Sequence, residues 1–152
     1  MGKITVEQEL EADRQQQLAD RLRAVGLEII ESRVHLLIGR VRQSIRDYLA
    51  LGFDAQQYKL SSYVSGRLSY DFGYLSDLFS SVEGTTVERY FMMQRLEKVK
   101  QLLAYDQLTL SDIAFETGFS SAAHLSTQFR KLSGLTPSQY KQSAKKERLG
   151  QM

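Results

Sequence analysis

The chain has 152 residues, 42% of them hydrophobic, with one proline, no cysteine and a net charge of +2. The lack of cysteine excludes a disulfide framework, a zinc-thiolate site and a cysteine nucleophile. No apolar run approaches the ~20 residues of a membrane span and the start lacks an apolar signal-peptide core, so a cytoplasmic chain without a membrane partner is expected.

Residues 1–33 read as a small βαβ segment. Ile4, Thr5 and Val6 form a short β run, and Asp13 can cap a helix whose apolar positions Leu18, Leu22 and Val25 recur at helical spacing. Gly26 ends that helix, and the apolar run 27–30 supplies a second strand. This order resembles the second half of a ferredoxin-like, heavy-metal-associated domain. The metal-binding CxxC loop of that family belongs to the half that is missing, so the resemblance implies neither a metal nor a cofactor. A two-stranded sheet alone is marginal in water, so the segment reads as a truncated remnant, as part of a homodimerisation element over residues 1–51, or as both.

Residues 34–59 are expected to form a connector helix and a linker. Val34, Ile38, Val41, Ile45 and Tyr48 follow a 4-3-4-3 spacing, but two heptads are short for a coiled coil, and a helix packed on its neighbours is the plainer reading. His35 reads as a partly buried residue of that helix rather than a ligand. Gly52 opens the linker.

Residues 60–90 reappear without a gap as 110–140. Leu60, Ser61, Leu75, Ser76, Phe79, Gly84, Thr86 and Tyr90 match Leu110, Ser111, Leu125, Ser126, Phe129, Gly134, Thr136 and Tyr140. A fixed offset means one supersecondary unit used twice. In the second copy Thr109 caps a helix over 110–117, with Asp112 completing a capping box. Gly118 supplies the turn, and Ser120 or Ser121 caps a helix over 122–133 that Gly134 stops. The first copy runs 60–69, then Asp71 as cap and 72–82, ended by Gly84. Helix, short turn, capped helix is the helix-turn-helix arrangement. A linker helix joins the copies, with Thr85 and Glu88 as its expected capping box and a stripe of Val87, Phe91, Leu96, Val99, Leu102 and Leu103. Its roughly nineteen residues span about 28 Å, against about 34 Å between successive major grooves. Thr136, Pro137 and Ser138 begin a last helix. The expected fold is therefore mainly α, with tandem helix-turn-helix units over 60–146 joined by a long helix and preceded by the small βαβ segment.

The run SDIAFETGFSSAAHLSTQFRKLSGLTPSQY resembles the signature of AraC/XylS transcription regulators. Ala114, Gly118-Phe119, Phe129 and the Gly134-x-Thr136-Pro137-x-x-Tyr140 ending all fit that family, as do Arg95-Leu96 and Tyr74-Leu75-x-x-Leu78-Phe79. The likeness covers about 60–142 and implies a double-stranded DNA partner. The residues before 60 resemble a metal-associated half-domain fused to some bacterial members.

If Leu75, Leu78, Phe79 and Val82 face the core, Gly73, Ser76, Asp77 and Ser80 point outward. The fifty-residue offset sends these to Ala123, Ser126, Thr127 and Arg130, with Ser121, Ala122 and His124 at the helix start. The resemblance implies base readout by Gly73, Ser76, Asp77, Ala122, Ala123 and Thr127. Ser80, Ser121, His124, Ser126, Arg130 and Lys131 are further candidate DNA contacts, although packing would explain His124 equally well. Strong readout uses Arg, Asn or Gln, and these positions offer small side chains instead: Ala and Thr suit thymine methyls, and Asp77 could accept from cytosine N4.

Charge is uneven. Residues 1–59 are neutral, 60–116 carry −3 and 117–152 carry +5. The second unit should therefore dominate affinity, through Arg130, Lys131 and the basic cluster at 141–148. Two histidines without a nucleophile context or a phosphate loop give no catalytic site, so no enzyme is expected. Asp112 and Glu116 read as cap and solvated charge. The rival function is a protein-interaction adaptor built on a degenerate helix-turn-helix domain.

Overall fold

The computed structural model describes residues 6–150, which divide into a unit ending at Gly39 and a second beginning at Arg40. Among them there is no strand. The expected βαβ segment is replaced by one helix, α1 (Val6–Ala50). Ile4 and Thr5 lie outside the described residues, while Val6 and the run 27–30 are helical.

The physical reason lies in composition and in hydrogen bonding. Residues 6–36 are dominated by Glu, Gln, Leu, Ala and Arg, all strong helix formers. Gly26 costs a helix only about 1 kcal/mol relative to alanine, too little to end one this long. A lone pair of short strands would leave most backbone groups to water, whereas a helix satisfies its own. The likeness to a heavy-metal-associated half-domain falls with the strands it rested on.

In the first unit α1 carries Glu7 and Glu9 in its first turn, where acidic groups suit the helix dipole, and Gln16 bonds to Asp20 one turn on at 3.1 Å. His35 is exposed, not half-buried as expected.

The second unit begins with the C-terminal end of α1. A short 3-10 turn (Gly52–Gln57) follows, then α2 (Leu60–Leu68), α3 (Phe72–Glu83), α4 (Val87–Tyr105), α5 (Leu110–Thr117), α6 (Ala122–Ser133) and α7 (Pro137–Gly150). The seam expected in the connector helix is used internally: Val41, Ile45, Tyr48 and Leu49 are buried. Tyr48 packs edge-on to Phe91 and tilted to Tyr63, each with ring centroids 5.3 Å apart. Its hydroxyl reaches the carbonyls of Ala55 and Tyr58. Arg42 pairs with Glu83 at the end of α3.

A second core gathers Leu96, Val99 and Leu103 of α4 with Ile113, Ala114, Phe119, Leu125 and Phe129. The repeat is visible in three dimensions. Phe79 meets Tyr90 edge-on at 5.3 Å, and Phe129 meets Tyr140 edge-on at 5.7 Å. Gly84 and Gly134 both take a left-handed φ, of 72° and 78°.

Two local expectations are corrected. Thr86, not Thr85, caps α4, accepting from the Arg89 N–H at 3.1 Å, while the Thr85 hydroxyl is buried without a partner. The same register makes Thr136 the cap of α7, in a reciprocal pair with Gln139. Val82 is 40% exposed rather than in the core, as is Leu132 fifty residues later at 39%. Each of these two lies at its helix's C-terminal end, past the last residue that the core encloses.

Candidate nucleic-acid interface

Each second helix of a unit is built the same way. Asp71 caps α3 by accepting from the Tyr74 N–H at 3.3 Å, and Ser121 caps α6 by accepting from the His124 N–H at 3.0 Å. Such a cap satisfies an orphan donor and fixes where the helix starts. Leu75 and Phe79 are wholly buried under α3, and Leu125 and Phe129 are buried under α6. The exposure of residues 71–79 then repeats residue for residue along 121–129. Gly73, Asp77, Ala123 and Thr127 are exposed, and Ser76, Ser80, Ala122 and Ser126 are half-buried. The expected positions are therefore open on both helices.

The chemistry of those positions is narrower than their composition suggests. The Thr127 hydroxyl donates to the Ala123 carbonyl at 3.0 Å. Its proton is committed to the backbone, which leaves oxygen lone pairs and a methyl to meet a partner. His124 is exposed, packs edge-on against Phe119 at 5.4 Å, and has Nδ1 3.1 Å from the Ser120 hydroxyl. Its equivalent, Tyr74, stacks on Tyr70 with centroids 5.7 Å apart, and both tyrosines are exposed. Tyr74 is not among the candidate contacts read from the sequence, although the fifty-residue offset places it at the His124 position.

The basic surface is also redistributed. Lys141 and Lys145 both pair with Asp106, the left-handed C-cap of α4, and Arg148 donates to the Ala104 carbonyl. These cations anchor α7 to α4. Arg130, Lys131 and Lys146 are exposed with no carboxylate partner among the described residues.

Behind α6 lies Arg95, whose guanidinium sits 3.3 Å from the Phe119 ring centroid and 5.7 Å from that of Phe91. Its Nε and one terminal nitrogen are buried without a hydrogen-bond partner. Burial pulls its pKa down to about 10, so it stays charged at neutral pH. The two rings hold the cation by their π faces. Arg95 and Phe119 also line a largely apolar cleft of about 240 Å³ between α4 and α6, with Met92, Leu125 and Leu132. No group of His, Asp or Glu that could hold a metal occurs among the described residues, and no helix among them is long and apolar enough to cross a membrane.

Two capped helix-turn-helix units on a shared long helix define a tandem DNA-reading type of domain. A sequence profile of the family described as "Helix-turn-helix domain" matches residues 64–143. The chain belongs to that family. It is 43% identical over 63 residues to the probable transcriptional regulator LumQ of Photobacterium leiognathi, covering 41% of this chain and 25% of LumQ. The chain thus matches only a quarter of that relative's length. Among solved structures, it is similar to the C-terminal domain of AraT, a response regulator from Geobacillus stearothermophilus. That likeness has 26% identity and a TM-score of 0.63, and covers 70% of this chain and 84% of that one. The DNA-binding domain of AdpA, solved in complex with a target DNA, shares the fold at 20% identity and a TM-score of 0.61, covering 74% of this chain and 95% of that domain.

Proposed function

We propose that the chain binds double-stranded DNA sequence-specifically as a transcription regulator, laying α3 and α6 into successive major grooves with the second unit dominant. The observation that carries this is the matched exposure of the two capped helices, each offering the same outward positions fifty residues apart. The 19 residues of α4 give about 28 Å of axis between the units, somewhat short of one helical turn of DNA, which a modest bend absorbs.

Base readout falls to Gly73, Ser76 and Asp77 on α3, and to Ala122, Ala123 and Thr127 on α6. Glycine and alanine allow close approach, and the Ala and Thr methyls suit thymine. Asp77 would favour cytosine and repel phosphate, so α3 contributes selectivity at the expense of affinity. Arg130, Lys131 and Lys146 supply the phosphate contacts; Ser80, Ser121, Ser126 and His124 flank the readers. Lys141, Lys145 and Arg148, engaged with α4, contribute less than their charge alone implies.

Titration of labelled duplex DNA at two salt concentrations tests the reading, because counterion release makes true binding steeply salt-dependent. Arg130→Ala should weaken binding on every sequence and flatten the salt slope by about one. No salt-dependent binding at all would favour the adaptor reading, to which the acidic first unit lends itself.

A further inference from the structure

The first unit exposes apolar residues in a register that a single chain leaves unused. Leu18 is 58% exposed, Leu22 63%, Val25 51%, Ile29 50% and Leu36 60%. Their spacing of four, three, four and seven, with Ser32 between the last two, is a heptad seam. With Leu22, Ile29 and Leu36 at one set of core positions, Leu18, Val25 and Ser32 fall at the other. Counting Gln15, the seam runs for about three heptads, the shortest length at which pairing becomes plausible. It lies N-terminal to the Val41–Tyr48 positions consumed within the second unit.

We infer that this seam pairs with a second copy of the same chain as a parallel two-stranded coiled coil. The flanking charges select that occupant and that direction. In a parallel pair, each residue beside the seam on one side faces the residue five further along on the other helix. Glu28 then meets Arg33 of the partner copy, twice by symmetry. The neighbouring pairs are Arg21 with Gly26 and His35 with Arg40, so no two acids and no two permanent cations oppose each other. An antiparallel pair with every layer filled sets Glu28 beside the other Glu28 and faces Arg33 with Ala19. Moving the antiparallel pair by one heptad brings Glu28 to Arg21 but leaves Leu36 opposite Glu11, so only the parallel pair joins the charge match to a filled seam. A pair also doubles the DNA-contacting charge per complex, so the dimer binds DNA more steeply with salt than either copy alone.

The test uses the whole chain. Sedimentation should show a concentration-dependent monomer–dimer equilibrium. Glu28→Arg should weaken the dimer about tenfold by turning two attractions into two repulsions. The double variant Glu28→Arg with Arg33→Glu should restore it. Because the chain has no cysteine, Val25→Cys is a clean probe: in a parallel pair it faces its own copy and should form an intermolecular disulfide on mild oxidation. Leu27→Cys, off the seam, should not. These positions are exposed, so helix content should stay unchanged. A monomer at every concentration would overturn the inference, as would a dimer indifferent to Glu28→Arg or one in which both cysteine variants cross-link alike. Loss of the dimer with unaltered DNA binding by the monomer would leave the DNA reading standing, which separates the two claims.

Discussion

Ser69 closes α2 with φ of 58°, a left-handed conformation that costs a non-glycine residue about 1–2 kcal/mol. The equivalent cap in the second unit is Gly118, with φ of 78°. Serine carries the strain at an exposed position. Ser69→Gly should therefore stabilise the protein by about 1 kcal/mol, read as a higher urea midpoint with an unchanged slope. The two turns also differ in length. From C-cap to N-cap the first runs Ser69, Tyr70, Asp71, and the second runs Gly118, Phe119, Ser120, Ser121. The repeat is gapless in sequence because α2 is one residue longer than α5. At this scale the caps of α3 and α6 and the outward faces of both helices were legible. Caps, glycine stops and outward positions follow from local hydrogen bonding and helical period, which act within a few residues. What escaped were choices between adjacent candidates, such as Thr85 and Thr86, where the register of packing decides.

Among the elements, α7 is held by charge as well as by its apolar contacts. The Asp106 carboxyl lies below its ordinary range, chiefly because Lys141 hydrogen-bonds to it, with Lys145 adding to this against a smaller opposing desolvation. A lowered folded value means that this contact stabilises fully above the usual aspartate range of about 4, and is lost as pH falls through the lowered value. Asp106→Asn should reduce amide-exchange protection in α7 at neutral pH, and the difference from the parent should vanish in acid. The basic tail of the sequence suggested phosphate binding for all of 141–148. Charge composition could not reveal that part of it faces an acidic cap on another helix.

Across the second unit, packing converts glycine choices into constraints that no local rule contains. A Cβ on Gly118 would lie 2.7 Å from the Gly52 carbonyl oxygen, and one on Gly52 would lie 2.9 Å from that of Glu116. The 3-10 turn and the end of α5 pack backbone to backbone here, flanked by the stacked rings of Phe53 and Phe115 at 5.4 Å. Gly118→Ala combines left-handed strain with a clash that no side chain can relieve. It should cost about 2–4 kcal/mol, measured by thermal unfolding. The contrast with Ser69, where a side chain is tolerated at the same kind of cap, isolates the tertiary part of that cost.

Taken alone, the sequence determined the tandem units, the caps of their second helices, most of their buried faces and the family of residues 64–143, because each rests on periodicity and on turn chemistry acting over short spans. It misjudged residues 6–33. A short run such as 27–30, three apolar residues around Glu28, suits a strand or a helix equally, and only continuous hydrogen bonding along α1 resolves that choice. The tertiary structure alone decided which cations remain open to a partner, which glycines admit no side chain, and which apolar stripe is left uncovered. Each of these depends on groups distant in sequence and adjacent in space.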